Sequence, residues 1–385
     1  MKVASVSDYR LLARKRLPRF LFDYLDGAAV AETTMAANAD DLASICLNPR
    51  VLRDVSSIET TVSLVGQSCS MPIVLAPVGL AGMYARRGEI QAARAAEAKG
   101  IPFTLSTVGV CSLQEVDAAV VEPFWFQLYM MRDRGFMREL LALACESQVS
   151  ALVLTVDMPL PGIRYRDYRS GLAGETWLSG NIRRLCQAAT RPRWALDVGL
   201  RGRPHELGNV APLLGNNTGL EDFMAWMQQN FDPTVTWRDL DFVREHWSGP
   251  LLLKGILNAE DALEAAAFEV DGIVVSNHGG RQLDGVRSTC RALPEIVRKV
   301  GDRLDVLVDG GVDSGVDVLR LIALGAKGVM IGRSWVYGLA ARGQAGVEDV
   351  IEILAKELSI SMALAGCSTI ADVDSNLLAG EAARD

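Results

Sequence analysis

Gly272-Ile273-Val274-Val275-Ser276-Asn277-His278-Gly279-Gly280, Asp305-Val306-Leu307-Val308-Asp309-Gly310-Gly311 and Gly328-Val329-Met330-Ile331-Gly332-Arg333 repeat one design three times: a short apolar run ending on polar or glycine residues. Each run is too short for a helix and rich in Val, Ile and Leu. The stretch after the second, 317–324, has helical apolar spacing and stops at Gly325, a natural residue for ending a helix. Working toward the N-terminus, the same alternation recurs at 71–79, 102–107, 124–130, 151–159 and 251–256, which makes eight units in one chain. Continuous apolar runs, rather than strict alternation, fit parallel strands buried on both faces. Eight strand–helix units predict a single α/β domain over 1–385, a closed (β/α)8 TIM barrel preceded by an N-terminal helical segment. The competing architecture is an open doubly wound sheet, but no G-x-G-x-x-G follows a first strand.

The polar residues of these units are unevenly placed. Ser106, Gln127, Tyr129, Thr155, Asp157, Lys254, Ser276, His278, Asp309 and Arg333 all fall in the second half of a run or just past it. In a barrel these positions ring the C-terminal mouth, where active sites are built. One polar strand end is commonly a satisfied cap, whereas ten on one rim predict a site.

Composition narrows what that site can serve. The chain has 385 residues, of which 49% are hydrophobic and 22% charged, and a net charge of -8, which argues against nucleic acid as a partner. No apolar stretch reaches the roughly 18 residues a membrane span needs. Residues 1–20 carry Asp8, Arg10, Arg14, Lys15, Arg16 and Arg19 in place of an apolar signal core, so a cytoplasmic location is expected. The seven cysteines are scattered without a C-x-x-C pair, and His205, His246 and His278 are far apart, so no metal site is expected.

The connection after the fourth strand, residues 160–235, is far longer than barrel loops usually are. It holds Arg183, Arg184, Arg191, Arg193, Arg201 and Arg203 interleaved with Trp177, Leu178, Leu185, Trp194 and Leu200. Two readings stand: a solvated lid with some helix, or a patch for an anionic membrane surface with cations for lipid and Trp for the headgroup layer.

The densest chemical signal is Ser276 to Asp284, SNHGGRQLD. A histidine at a strand end can act as a base near neutral pH. An arginine three residues on, across two glycines, can clamp a carboxylate at two points. Asp157 is the natural partner for the imidazolium that proton abstraction leaves on His278. Arg164 offers a second cation or is a surface residue. Lys254 ends an apolar run and needs an anion there, either a reduced cofactor or a structural carboxylate. The glycine-rich ends at Asp309-Gly310-Gly311 and Gly332-Arg333 belong to the last two strands, where barrels often hold a phosphate on backbone N–H groups.

The strings FLFDYLDGAA, LAPVGLAGMYARRGE, LSTVGVCS, WFQLY, LTVDMPLPGIRYRD, LLLKGI, SNHGGRQLDG, VDGG and IGR occur in this order over nearly the whole chain. Together they resemble the FMN-dependent family that oxidises L-2-hydroxy acids. The segments FMRELL and NFDPTVTW and the arginine-rich loop are similar to its bacterial respiratory, lactate-oxidising branch. The resemblance implies FMN as cofactor, a small 2-hydroxy acid as substrate (L-lactate giving pyruvate) and an external electron acceptor. A membrane quinone is expected for that acceptor, with oxygen as the alternative. Aryl acids of the mandelate type remain open, because Gly79 and Val108, which line the substrate pocket by resemblance, are small. The resemblance also implies a tetramer and a peripheral position on the inner face of the membrane through the long loop.

By the same resemblance His278 is the base, Asp157 its partner, and Tyr129 contacts the substrate hydroxyl. Arg281 and Tyr24 hold the substrate carboxylate with help from Arg164. Ser106, Gln127, Thr155 and Ser276 belong to the flavin site, Lys254 stabilises the reduced flavin, and Asp309, Gly311, Gly332 and Arg333 hold the ribityl phosphate end. Two departures stand out. Ala28 replaces an expected glycine, and Asp313 occupies a position where the family carries a phosphate-binding arginine. Asp313 is therefore expected either to weaken FMN binding or to turn outward and cap the helix near Ser314. A flavin-binding barrel without turnover is a distant alternative, and Asp313 is its only support.

Overall fold

Three helices lead the chain, α1 (Val6–Arg16), α2 (Arg19–Asp26) and α3 (Thr33–Ser44), followed by an antiparallel hairpin of β1 (Val62–Leu64) and β2 (Gln67–Cys69). Eight parallel strands then run in chain order around one axis. They are β3 (Ile73–Leu75), β4 (Thr104–Ser106), β5 (Phe124–Tyr129), β6 (Val149–Thr155), β7 (Leu251–Ile256), β8 (Gly272–Val275), β9 (Asp305–Asp309) and β10 (Gly328–Ile331). β10 returns to pair with β3, and the last gap is bridged where the Leu75 amide donates to the Pro102 carbonyl at 2.9 Å. This computed structural model describes residues 2–175, 177–203, 205–211, 226 and 229–379.

All eight runs predicted from sequence become strands, and the ends of several become turns. In the first run only Ile73–Leu75 is strand, since Pro77 has no N–H to donate to a ladder and turns the chain into the Val78–Gly79 loop. The barrel interior is a separate apolar cluster that includes Val74, Ala76, Trp125, Ala151, Val153, Leu252, Val274, Leu307 and Met330. The hairpin, which the sequence reading did not anticipate, adds Leu64 and Cys69 to this cluster and closes one end of the barrel. The Trp125 indole donates to Gln67 at 3.0 Å and ties plug to wall.

Strand parity then fixes the chemistry. Side chains alternate along a strand, so two residues beyond an interior apolar residue lies another interior position. Trp125 thus leads to Gln127 and Tyr129, Val153 to Thr155, Leu252 to Lys254, Val274 to Ser276, and Leu307 to Asp309. The interior is apolar at the hairpin end and polar at the mouth.

The long connection contains helices Tyr165–Ser170 and Trp177–Ala189, a turn at Pro192–Trp194, and a π-helical stretch Ala195–Leu200. Its residues 176, 204, 212–225 and 227–228, and the Trp177 side chain, lie outside the described part. The reading of Trp194 as a membrane-facing aromatic is corrected here. Trp194 is buried, packs edge-on to Phe20, and donates its indole N–H to the Met83 carbonyl at 2.8 Å. Arg183 pairs with Glu175 at 2.7 Å, and Arg191 donates to the Leu17 carbonyl at 3.1 Å, so part of the basic set binds the loop to the body. The exposed apolar face is aliphatic: Leu178, Ile182 and Leu185 along one helix, then Leu196 and Leu200. Among the described residues no helix is long and apolar enough to cross a membrane.

Candidate active site

A cavity of about 380 Å³ opens at the polar end of the barrel. It is lined by Tyr24, Tyr129, Thr155, Arg164, Lys254, His278, Arg281, Asp309, Gly311, Gly332 and Arg333, eleven of the residues singled out from sequence. The other four stand one layer behind. Asp157 reaches the cavity through His278, Ser276 through Lys254, and Ser106 is bonded to Gln127 at 3.0 Å.

His278 follows β8 with φ 57°, in the left-handed region that a non-glycine side chain seldom adopts. The conformation is enforced from several sides. The Asn277 and Asn38 amides bond reciprocally at 2.8 Å in both directions, and Asn277 also accepts from the Gly280 N–H. Gly280 has φ 75°, and a Cβ there would lie 2.7 Å from the Met35 backbone nitrogen, so glycine lets α3 dock on this turn. The His278 amide donates to Ser276 Oγ at 3.0 Å.

His278 Nδ1 lies 3.0 Å from Asp157 Oδ1. Burial alone would raise the Asp157 carboxyl; attraction and hydrogen bonding from His278, with Lys254 nearby, outweigh burial and hold it below its ordinary value. Asp157 gets this close because Gly255, at a bulge in β7, has no side chain: a Cβ there would meet Asp157 Cβ at 2.5 Å. With Nδ1 committed to a carboxylate, Nε2 is the ring nitrogen left to accept a proton.

The cations form two groups. Lys254 Nζ lies 2.7 Å from Asp309 Oδ2 and donates to Ser276 Oγ at 2.8 Å, so the structure supplies the carboxylate partner considered from sequence. Arg10 is held by Asp26 through two bonds of 2.5 and 2.8 Å. Arg281 and Arg333 instead donate to backbone carbonyls. Arg281 bonds those of Tyr24 and Gly27 at 2.7 and 2.8 Å, and Arg333 those of Leu25, Gly27 and Gly279 at 3.3, 2.9 and 3.0 Å. Burial, then repulsion from Arg164, brings Arg281 down to about 10, a strain that a bound anion relieves. Arg164 is buried and paired with Asp167 at 2.8 Å, which removes its reading as a surface residue. Both Arg164 and Arg281 lie over the Tyr24 ring, at 5.1 and 4.9 Å from its centre. Tyr129 packs against Phe231 with ring centres 4.7 Å apart, and burial raises its phenol far above the ordinary value, so it stays a neutral donor.

The cavity suits a large polar, anionic ligand. Tyr84 Oη, Gln127 Nε2, Asp157 Oδ2 and Asp309 Oδ1 are buried with no hydrogen-bond partner among the described residues, as expected where water or a bound group completes the site. Five cations (Arg10, Arg164, Lys254, Arg281, Arg333) face three carboxylates (Asp26, Asp309, Asp313) around it. Among the described residues no cluster could hold a metal ion.

Sequence reading missed Arg10, Asp26, Asn38, Tyr84 and Tyr337 as members of this region. Asp26 left a trace: a carboxylate on the face of α2 that buries Phe20, Leu21, Phe22 and Leu25 requires partners. Asn38 and Tyr84 left none, because nothing local marks a residue whose contact lies 239 positions away.

Asp313 does not cap a helix. Ser314 fills that role, accepting from the Asp317 N–H at 3.2 Å. Asp313 lies on the cavity wall and accepts from Ser334 Oγ at 2.9 Å.

Comparison with known proteins agrees with this geometry. The family model of FMN-dependent dehydrogenases matches residues 13–380, and the chain belongs to that family. The L-lactate dehydrogenase of Caulobacter sp. (strain K31) is 60% identical over 379 residues, covering 98% of this chain and 99% of that protein. Among solved structures, the monotopic membrane protein (S)-mandelate dehydrogenase superposes with a TM-score of 0.91 at 34% identity, covering 98% of this chain and 100% of that one. A mandelate oxidase superposes with a TM-score of 0.82 at 36% identity and 98% coverage of both chains.

Proposed function

We propose that this enzyme oxidises L-lactate to pyruvate and passes the electrons to an external acceptor, a membrane quinone. The observation that carries the reading is the His278–Asp157 pair sharing one cavity with Arg281, an arginine that bonds no carboxylate among the described residues. FMN, when bound, supplies the acceptor for the two electrons leaving the alpha carbon. The protein does the rest. Arg281, with Arg164 and Tyr24 beside it, receives the substrate carboxylate and so fixes the alpha carbon in place. His278 Nε2 takes the hydroxyl proton, and the ionised Asp157 stabilises the imidazolium that results. Tyr129 donates to the substrate oxygen. Thr155, Ser106 and Gln127 supply polar contacts for the flavin ring, with the spare Gln127 amide a donor for it, and Lys254 with Ser276 presents positive charge to it. Asp309, Gly311, Gly332 and Arg333 would hold the ribityl phosphate end.

L-lactate is favoured over mandelate by 60% identity to a lactate enzyme against 34% to the mandelate dehydrogenase. The test is anaerobic bleaching of the yellow protein by L-lactate, glycolate and (S)-mandelate. L-lactate should bleach fastest, and faster bleaching by mandelate would reassign the substrate. Peripheral membrane attachment is supported by the exposed Leu178, Ile182 and Leu185 stripe beside the arginines, and by the monotopic relative.

A further inference from the structure

The turn after β9 brings a carboxylate to the end of the cavity built for an anion. At that end helix Arg333–Arg342 begins, and its first N–H groups have no partner in their own helix. Gly332 lies beneath open space, with nothing within 4 Å of where a Cβ would stand. Arg333 adds a charge whose hydrogen bonds among the described residues all go to carbonyls, with Asp313 near enough to feel it. Asp313 is on this same wall.

The groups around Asp313 come from four elements. From helix Arg333–Arg342 come Arg333, Ser334 and Tyr337; from helix Gly315–Ala323, Asp317; from α1, Arg10; from α2, Asp26. Asp317 is bound by Arg320 at 2.9 Å and by Ser314 at 2.8 Å. Asp26 is saturated by Arg10, Arg166 and the Tyr337 hydroxyl, and after burial is counted these donors still hold it at about 2. Asp26 therefore stays ionised near neutral pH. Asp313 Oδ1 lies 2.9 Å from the Ser334 hydroxyl, whose one proton it shares with the nearer Val312 carbonyl at 2.7 Å, and its second oxygen has no bond to any described residue.

We infer that FMN uptake is coupled to proton uptake at Asp313, whose carboxyl carries a proton while the phosphate is seated and gives it up as the phosphate leaves. An ionised carboxylate would repel the phosphate and reduce what Arg333 contributes. A protonated one donates a hydrogen bond to the phosphate from one oxygen while the other still accepts from Ser334. The protein packed around Asp313, then the nearness of Asp317, shifts its carboxyl upward against the opposing pull of Ser334 and Arg333, although the side chain is still exposed in the open cavity and is covered only when the phosphate arrives. A dianion raises it further. Because binding takes up a proton, affinity is greatest at low pH and falls as pH rises between the free and bound titration points, by at most about tenfold per pH unit for one proton.

This rests on placing the phosphate at the Gly332 end of the cavity, and the experiment separates the two claims. Apoprotein is titrated with FMN, followed by flavin fluorescence quenching, from pH 5.5 to 8.5 for wild type and Asp313→Asn. Ionisation of the phosphate itself is common to both and cancels in the ratio. Wild-type affinity should fall at least about tenfold more than that of the variant, and Asp313→Asn should bind FMN more tightly at pH 8.5. Calorimetry at pH 7 in two buffers of different ionisation enthalpy should show proton uptake in wild type and less in the variant. Superimposable pH profiles with equal proton uptake would overturn the inference. Riboflavin, which lacks the phosphate, is the second arm, and its affinity should be indifferent to the substitution. An equal change for riboflavin and FMN would overturn the placement of the phosphate instead. Asp313→Ser, with its own melting curve, guards against a folding defect in the first variant.

Discussion

Arg281 and Arg10 line the same cavity, and they differ in what answers their charge. Arg10 meets the carboxylate of Asp26 through two bonds, whereas Arg281 meets only the carbonyls of Tyr24 and Gly27. A carboxylate neutralises a guanidinium; a carbonyl orients it and leaves the charge in place. On the proposed function, the Arg10 region is a structural clasp and the Arg281 region the receptor for the substrate anion. Counter-charge separates the two functions more clearly than position does, since both arginines reach the cavity.

The largest expected effect tests the receptor side. His278→Ala should keep FMN bound and slow its anaerobic reduction by L-lactate by about 10²–10⁴-fold, the usual contribution of a positioned base. Stopped-flow bleaching at the wild-type rate would remove His278 from the reaction. The clasp is tested next by Asp26→Asn, which takes the charge from a buried carboxylate bonded to two partly exposed arginines and should cost about 1.5–3 kcal/mol of stability in a thermal or urea melt. Its pH dependence has a definite sign. Asp26 is held at about 2, below its ordinary 3.8, so its contribution is complete above about pH 4 and lost as pH falls toward 2. Wild type should lose stability more steeply than Asp26→Asn across that window, and parallel curves would refute the clasp.

Arg281→Lys should lower kcat/KM by roughly ten- to a hundredfold, because an ammonium cannot reproduce a planar two-point contact worth about 1.5–3 kcal/mol. An unchanged kcat/KM would move the receptor to Arg164. The smallest effect concerns the long connection. Arg193→Gln with Arg201→Gln should weaken binding to anionic vesicles by about 1 kcal/mol per charge, and Ile182→Asp should weaken it at any salt concentration. Co-sedimentation equal to wild type would leave this segment a lid.

The barrel was legible because eight buried parallel strands leave eight continuous apolar runs, and their polar ends marked the mouth. His278, Asp157 and Arg281 could be found because each belongs to a strand end or the turn beyond it. The clasp could not, since Arg10, Asp26, Arg166 and Tyr337 come from four separate elements with no shared spacing. Trp194 was misplaced for a similar reason. An aromatic among arginines looks the same whether it turns outward or, as here, donates to a carbonyl 111 residues away.

Of the carbonyls that hold Arg281 and Arg333, those of Tyr24, Leu25 and Gly27 belong to the last turn and cap of α2, the part of a helix that cannot satisfy itself. Tyr24 waits 257 residues for its arginine, and Leu25 waits 308. During synthesis at about 5–20 residues per second, that separation amounts to roughly 10–60 s in which the front of the chain has emerged without its partners. The ring of contacts can close only when nearly the whole chain is out of the ribosome. The site for FMN is consequently completed late in the life of the polypeptide, and a chain truncated before residue 333 leaves the translation machinery without the last wall of the cavity.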